Sequence, residues 1–344
     1  MRISVVGGGA IGETHCLTIR EQPGMALAGL ADPAPGAAAT AAGYGARAYA
    51  NHRDLIAAEK PDGAVIATPN ALHVTIGKDF LDAGIPILVE KPVANTVAEG
   101  AELAAHARAR GVPVLVGHHR RHHPAIRKAR DLVAEGALGR IVTVTISASL
   151  MKPDGYFEAG WRRQPGVGGP LLINAIHEID LLRFILGEIT EVSAFASNAT
   201  RGFPVEDTAA LIFRFASGAL GALAVSDTAA APWSWDLSAG DVPRFPKHDV
   251  VSHMFAGTHG GLSLPRLELW RHPGARDWTS AMTPQAIAVA PRDPFVAQLE
   301  HFAAVIRGDE SPLIDAVEAT RDLAVMEAIA ASIRSGRSEP VAAV

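Results

Sequence analysis

Along the first third of the chain, short apolar runs alternate with longer stretches whose apolar positions recur every three or four residues. The runs Ile3 to Val6, Leu27 to Ala31, Ala64 to Ala67, Ile87 to Val89 and Val114 to Val116 predict strands, and Ile11 to Arg20, Leu72 to Ala83 and Thr96 to Arg110 predict helices. In the last of these, Val97, Ala101, Leu103, Ala104 and Ala107 gather on one face, as a half-buried helix requires. This alternation predicts a parallel sheet covered by crossover helices.

After His123-Pro124 the rhythm changes. A helix predicted over Ala125 to Glu135 leads into Ile141-Val142-Thr143-Val144-Thr145-Ile146, where apolar and polar residues alternate, and strand-like runs follow at Ile189 to Ala196, Ala209 to Phe215 and Ala219 to Ser226. One helix, Pro170 to Leu186, is expected among them, and helices near Phe295 to Arg307 and Asp315 to Ser335 close the chain. Pro232 to His259 shows no clear period and is expected to form a long loop, while Ala37 to Ala42 is a low-complexity Ala-rich piece.

A length of 344 residues exceeds what one core usually organises, so two domains are expected, 1–122 and 123–344, with the final helices able to pack back near the first. Apolar residues make up 48% of the chain, enough for large cores, and a net charge of -5 offers no basic footprint for nucleic acid. Cys16 is the only cysteine, which rules out an intrachain disulfide and disfavours a cysteine-based metal site. Gly, Pro or charge interrupts every candidate membrane span, and the start lacks the features of a secretory signal, so a cytoplasmic location is expected.

Gly7-Gly8-Gly9-Ala10-Ile11-Gly12 fits G-x-G-x-x-G between a predicted strand and a predicted helix. In that context Gly7 permits the tight turn, Gly9 lets a pyrophosphate approach the backbone, Gly12 lets helix and sheet pack closely, and the helix start at Ala10 and Ile11 offers N–H groups to phosphate. Asp32 ends the second predicted strand about 20 residues on, where a carboxylate accepts the hydrogens of a ribose diol. With Pro33-Ala34-Pro35 supplying no cation for a 2′-phosphate, NAD is expected over NADP.

Glu90-Lys91-Pro92 follows the strand Ile87 to Val89, at the carboxyl edge of the sheet where ligands of such folds bind. Asn174 and His177 stand three apart on a predicted helix, hence on one face, with Asp180 one further turn along; the alternative for His177 is a core histidine beside Asp180. Trp161-Arg162-Arg163 offers an aromatic face and fixed donors suited to polyols or carboxylated rings, or equally to an interface. In His118-His119-Arg120-Arg121-His122-His123 the histidine spacing suggests a metal, but no nearby acid completes a ligand set and none is expected. Arg121 in this run is a candidate for holding a substrate oxygen.

Taken in order, Gly7 to Gly12, Asp32, Thr68-Pro69-Asn70 with His73, Glu90-Lys91-Pro92, Arg121, and Gly168-Gly169 through His177 to Asp180 resemble the Gfo/Idh/MocA oxidoreductase family. The resemblance implies an α/β protein with an N-terminal Rossmann dinucleotide-binding domain and a C-terminal α/β domain built on a large open, mostly antiparallel sheet, often used for oligomerisation. It also implies that Thr68, Pro69, Asn70, His73 and Glu90 lie along the cofactor, that Lys91 is the catalytic lysine, and that the Lys91-Pro92 bond is cis. Substrate contacts are implied for the Trp161 to Arg163 region. Family members usually carry Asp where Asn174 stands; a neutral amide supplies no Coulomb support for a charged Lys91 or His177.

The expected activity is NAD-dependent hydride transfer between nicotinamide and a hydroxyl or keto carbon of a small polar cyclic substrate, a polyol, sugar or dihydrodiol. Lys91 and His177 would handle the proton, with Lys91, Arg121, Trp161, Arg162, Arg163, Asn174 and His177 around the substrate, in a homo-dimer or homo-tetramer. Two alternatives are a redox-neutral lyase or glycosidase that uses bound NAD transiently, and a non-catalytic dinucleotide sensor. Retention of both Lys91 and His177 argues against the sensor.

Overall fold

The structure is a computed structural model that describes every residue except Pro243, a position within the loop expected over 232–259. The chain forms two compact units, one of residues 1–122 and 293–323 with Val344, the other of residues 123–292 and 324–343.

The first unit contains six strands: β1 Arg2–Val6, β2 Ala26–Ala31, β3 Arg47–Tyr49, β4 Gly63–Ile66, β5 Ile87–Val89 and β6 Val114–Val116. They form one parallel sheet in the order β3-β2-β1-β4-β5-β6. Ile3, Val5, Leu30, Val65, Ile66, Leu88, Val89 and Leu115 are fully buried, as expected of central strands covered on both faces. The order reverses between β1 and β4, and at such a switch point the carboxyl ends of the strands leave a crevice for ligands.

The crossover helices start as the sequence suggests. Thr96 caps Val97–Arg110 by accepting the Glu99 N–H, and Gly111 closes it in the left-handed region at φ 66°. Not foreseen in this unit were β3, the helices Ala37–Gly43 and His52–Glu59, and the 3-10 turn His119–His122. The Ala-rich piece is therefore helical; alanine has high helix propensity, but a run of it carries no apolar stripe from which to read a helix.

The second unit is built on nine strands: β7 Ile141–Ser149, β8 Ile189–Ser197, β9 Thr208–Phe215, β10 Leu220–Ser226, β11 His253–Gly257, β12 Gly261–Leu264, β13 Glu268–Arg271, β14 Thr283–Ala286 and β15 Glu339–Pro340. Their order is β14-β13-β12-β11-β7-β10-β9-β8-β15, antiparallel throughout except for β7 beside β10. The large, mostly antiparallel sheet expected from the resemblance is thus present. Val144, Ile146, Val192, Leu211, Phe213, Leu223, Val225 and Phe255 are buried, while outward positions such as Phe195 and Ile212 are exposed, the signature of a sheet covered on one face.

Two expectations for this unit need correction. The segment read as one long loop over 232–259 contains a short helix, Trp235–Ser238, and the central strand β11, which pairs with both β7 and β12. His253 opens β11 and is buried against Glu178, so a polar residue occupies an inward position and hides the period. The single helix expected over 170–186 is a π-helical turn, Leu171–Ala175, followed by the α-helix Ile176–Leu186.

Candidate active site

In the first unit the glycine turn lies at the carboxyl end of β1, at the switch point. Gly7 has φ 98°, and a Cβ there would stand 2.4 Å from the Ala67 carbonyl oxygen just past β4. A Cβ on Gly12 would come within 1.9 Å of the Gly7 carbonyl oxygen, so only glycine lets the helix start this close to the turn. Gly9 differs: a Cβ there meets nothing within 4 Å. Its missing side chain serves no contact inside the protein and leaves an open approach to the helix start. Helix Ala10–Glu21 begins at Gly9 with no side-chain cap on its first N–H groups, the condition under which a helix start binds phosphate. Asp32 follows β2; its carboxylate accepts from the Gly8 N–H at 2.5 Å and the Ala34 N–H at 2.7 Å, tying the acid to the turn. An open cradle, unspent helix N–H groups and a carboxylate beyond β2 fit an adenine dinucleotide.

Thr68, Pro69 and Asn70 follow β4, and Glu90 and Lys91 follow β5, so these segments leave neighbouring strands at the same edge. His73 is fully buried between two of them: Nδ1 lies 2.9 Å from the Pro92 carbonyl oxygen and Nε2 lies 2.9 Å from that of Thr68. Burial drives its pKa down, against the pull of the two carbonyls and of Glu90. The Lys91-Pro92 bond is cis, as the resemblance implies.

Glu90 is buried. One carboxylate oxygen meets His15 Nε2 at 2.8 Å and the other accepts the Lys91 N–H at 3.2 Å. Burial raises its pKa, but the His15 bond, the His15 charge and Lys91 outweigh this, and the net direction is down. The Glu90 side chain therefore braces the lysine loop against the helix of the glycine turn. His15 was missed by the sequence reading; a histidine three residues past the last glycine carries no signal until its partner is known.

Arg121 is buried, and Nη2 donates to Glu318 at 3.2 Å. Its guanidinium is thus anchored to a carboxylate of the last helix, a partner no local spacing reveals.

In the second unit, Asn174 lies in the π-helical turn and His177 in the first turn of the helix after it, where His177 is buried. The three-apart, one-face relation assumed α-helical geometry; a π turn holds more residues per turn, so it does not carry over unchanged. Asn174 Oδ1 accepts a 2.7 Å hydrogen bond from Lys152 Nζ. Lys152 is buried, its ammonium 4.7 Å from the centroid of the Tyr156 ring, and Tyr156 also carries the Arg162 guanidinium at 3.8 Å. Arg162 Nη1 donates to the Tyr156 carbonyl at 2.5 Å, whereas Trp161 is 45% exposed and Arg163 is exposed with its guanidinium 5.7 Å from the Phe203 ring. Of the triplet, only Arg162 joins the polar cluster around Asn174.

Behind Lys152, Arg201 donates to the carboxylate of Asp227 and to the carbonyls of Lys152 and Asp227. Burial raises the pKa of Asp227, opposed by Lys152 and Arg201. Sequence reading found none of Lys152, Tyr156, Arg201 and Asp227. The one available hint was Lys152-Pro153 at the end of an alternating run, the dipeptide that also follows β5.

The family model described as the oxidoreductase family with an NAD-binding Rossmann fold matches residues 1–118, and the GFO/IDH/MocA C-terminal domain matches residues 126–245. The chain is 28% identical over 334 residues to the rhizopine catabolism protein MocA of Rhizobium meliloti, covering 95% of this chain and 93% of that protein. It is 26% identical over 358 residues to the scyllo-inositol 2-dehydrogenase (NAD(+)) of Bacillus subtilis, covering 98% and 95%. Among solved structures, the WlbA dehydrogenase of Bordetella pertussis in complex with NADH and UDP-GlcNAcA has the same fold at TM-score 0.83 and 23% identity, over 100% of this chain and 98% of that one. Two family domains in sequence, the dinucleotide turn at the switch point and the lysine loop braced beside it establish that the chain belongs to the Gfo/Idh/MocA family of NAD-binding oxidoreductases.

Proposed function

We propose that the protein is an NAD-dependent dehydrogenase or reductase acting on a hydroxyl or keto carbon of a small cyclic polyol, sugar or dihydrodiol. The observation that carries this reading is the fixing of Lys91. His73 packs with its ring nitrogens against the carbonyls of Pro92 and Thr68, Glu90 accepts the N–H of Lys91, and the loop leaves the sheet edge that also bears the glycine turn. Such bracing is costly to build for a loop lysine without a task. When bound, the nicotinamide accepts a hydride from the alcohol carbon or returns one to the ketone. Lys91 takes the hydroxyl proton in the oxidative direction and gives it back in the reductive one. Asn174 and His177 contact the substrate, and His177 is the second candidate for proton transfer.

Relatives named scyllo-inositol 2-dehydrogenase (NAD(+)), inositol 2-dehydrogenase and levoglucosan dehydrogenase support the choice of cyclic polyhydroxyl compounds. The test is an NADH-absorbance screen of inositols, aldoses, anhydrosugars and dihydrodiols, with NAD and NADP in parallel. Sustained NADH formation with at least one of them is expected; turnover of sugar without net NADH would instead favour a redox-neutral enzyme. Lys91→Ala should lower kcat by about 10²–10⁴-fold, the usual worth of a general acid–base group, with the Kd for NADH nearly unchanged. Near-normal turnover in that variant would remove Lys91 from the chemistry.

A further inference from the structure

Lys152 is a confined cation of the second unit. Its backbone N–H donates to the Asp227 carbonyl at 2.8 Å, its own carbonyl accepts from Arg201 at 2.7 Å, and its side chain is buried with the ammonium over Tyr156. The neighbouring Leu150 N–H donates to the Ser226 carbonyl, so the segment continues the β7–β10 pairing and cannot wander. That ammonium sits 2.7 Å from the side chain of Asn174.

An ammonium carries three donors and no acceptor, so the amide atom facing it must be oxygen. The orientation of Asn174 is thereby settled by chemistry: Oδ1 faces Lys152, and the two hydrogens of Nδ2, which lie in the amide plane, are turned away from the ammonium. Without the lysine, an amide can turn over at little cost and offer either a donor or an acceptor. With it, Oδ1 stays on the side of Lys152 and the Nδ2 donors stay on the other.

We infer that Lys152 is a positioning residue for substrate selection: by fixing the orientation of the Asn174 amide it keeps the Nδ2 donors turned away from the ammonium, which selects substrates presenting there an oxygen that accepts without donating, as in a ring or bridging ether, a ketone or a carboxylate. The inference rests on the proposed contact between Asn174 and the substrate. A hydroxyl can satisfy either orientation of an amide and so gains nothing from the lock. An ether, carbonyl or carboxylate oxygen meets a repulsive lone pair when the amide is reversed.

The test compares kcat/KM of the full-length protein for levoglucosan, glucuronate and myo-inositol, which present respectively a bridging ether, a carboxylate and hydroxyls alone. The first two arms separate the ether from the carboxylate as the preferred acceptor. Lys152→Met should lower the acceptor-to-polyol ratio of kcat/KM by about tenfold, mainly through KM, since one misdirected hydrogen bond is worth this much. Lys152→Arg, which retains a donor-only cation, should restore most of it. Asn174→Asp, whose carboxylate can pair with Lys152 and offers no donor, should lower the ratio without depending on the fold of the Met variant. NADH affinity should stay at the wild-type value in all three. An unchanged ratio, or an equal loss of kcat on every substrate, overturns the inference. Absence of turnover by the wild type with any sugar or polyol overturns the dehydrogenase reading itself, and the inference with it.

Discussion

His118 is buried, with Nε2 3.6 Å from a carboxylate oxygen of Asp322. Burial lowers its pKa from 6.5 to about 4, with Asp322 opposing and Arg121 and Lys91 assisting. The unfolded chain therefore takes up a proton near pH 6.5 that the folded chain refuses until about pH 4. Because the folded value is depressed, the stability tied to this neutral imidazole is complete above about pH 6.5 and is lost as pH falls toward 4. The change amounts to about 3 kcal/mol, from a gap of two to three pKa units. Chemical unfolding of wild type and His118→Asn at several values between pH 7 and pH 4 should show their stability difference shifting by this amount in the variant's favour. Parallel curves across that range would show that His118 is not held neutral. The neighbouring His119 lies stacked on Phe295, with ring centroids 4.2 Å apart, and His122 lies beside His301, with centroids 5.2 Å apart. The histidine run was conspicuous in the sequence, but its ring partners lie far along the chain and were invisible there.

Among the elements, the turn from β1 into the first helix separates two uses of glycine. Gly12→Ala pushes a methyl group into the Gly7 carbonyl and should cost about 1–3 kcal/mol of stability, as overpacking does, with coenzyme affinity falling alongside. Gly9→Ala places its methyl group in open space, so stability should stay within about 1 kcal/mol of wild type. Its NADH affinity should nonetheless fall by about tenfold or more, because the methyl group occupies the approach to the helix start. Paired thermal-unfolding and NADH-fluorescence titrations read both quantities, and wild-type affinity in Gly9→Ala would show that no phosphate comes close to that glycine. The spacing of the motif showed that glycines were needed. Which of them serves the fold and which the ligand depended on what stands opposite each one, and that is a tertiary fact.

At the scale of whole units, the long antiparallel sheet leaves one face bare: Phe195 is 72% exposed, Ile212 58% and Met254 51%. These residues lie on β8, β9 and β11, on the face opposite the buried row that includes Phe213 and Phe255. An apolar sheet face of this width fits a symmetric interface with a second copy of the chain. Light scattering coupled to size exclusion should give a dimer or tetramer for the wild type and a smaller species for the double variant Phe195→Glu with Ile212→Glu. A monomeric wild type would show that this face has another purpose. Among the described residues no helix is long and apolar enough to cross a membrane.

Periodicity alone determined the parallel sheet, its main crossover helices and the longer strands of the second sheet, because a strand or helix that buries one face must repeat its apolar residues at two or at 3.6. Local spacing likewise marked the dinucleotide turn, whereas the lysine that follows β5 stood out only through the family resemblance. Short edge elements such as β3, and β11 with its inward His253, escaped because three residues show no period and a buried histidine hydrogen-bonded to a glutamate imitates a polar break. Tertiary structure alone decided which groups brace the site: His15 on Glu90, Glu318 on Arg121, Lys152 on Asn174. Each pair joins residues distant in sequence, and a hydrogen bond between such residues leaves no mark in the local pattern of either one.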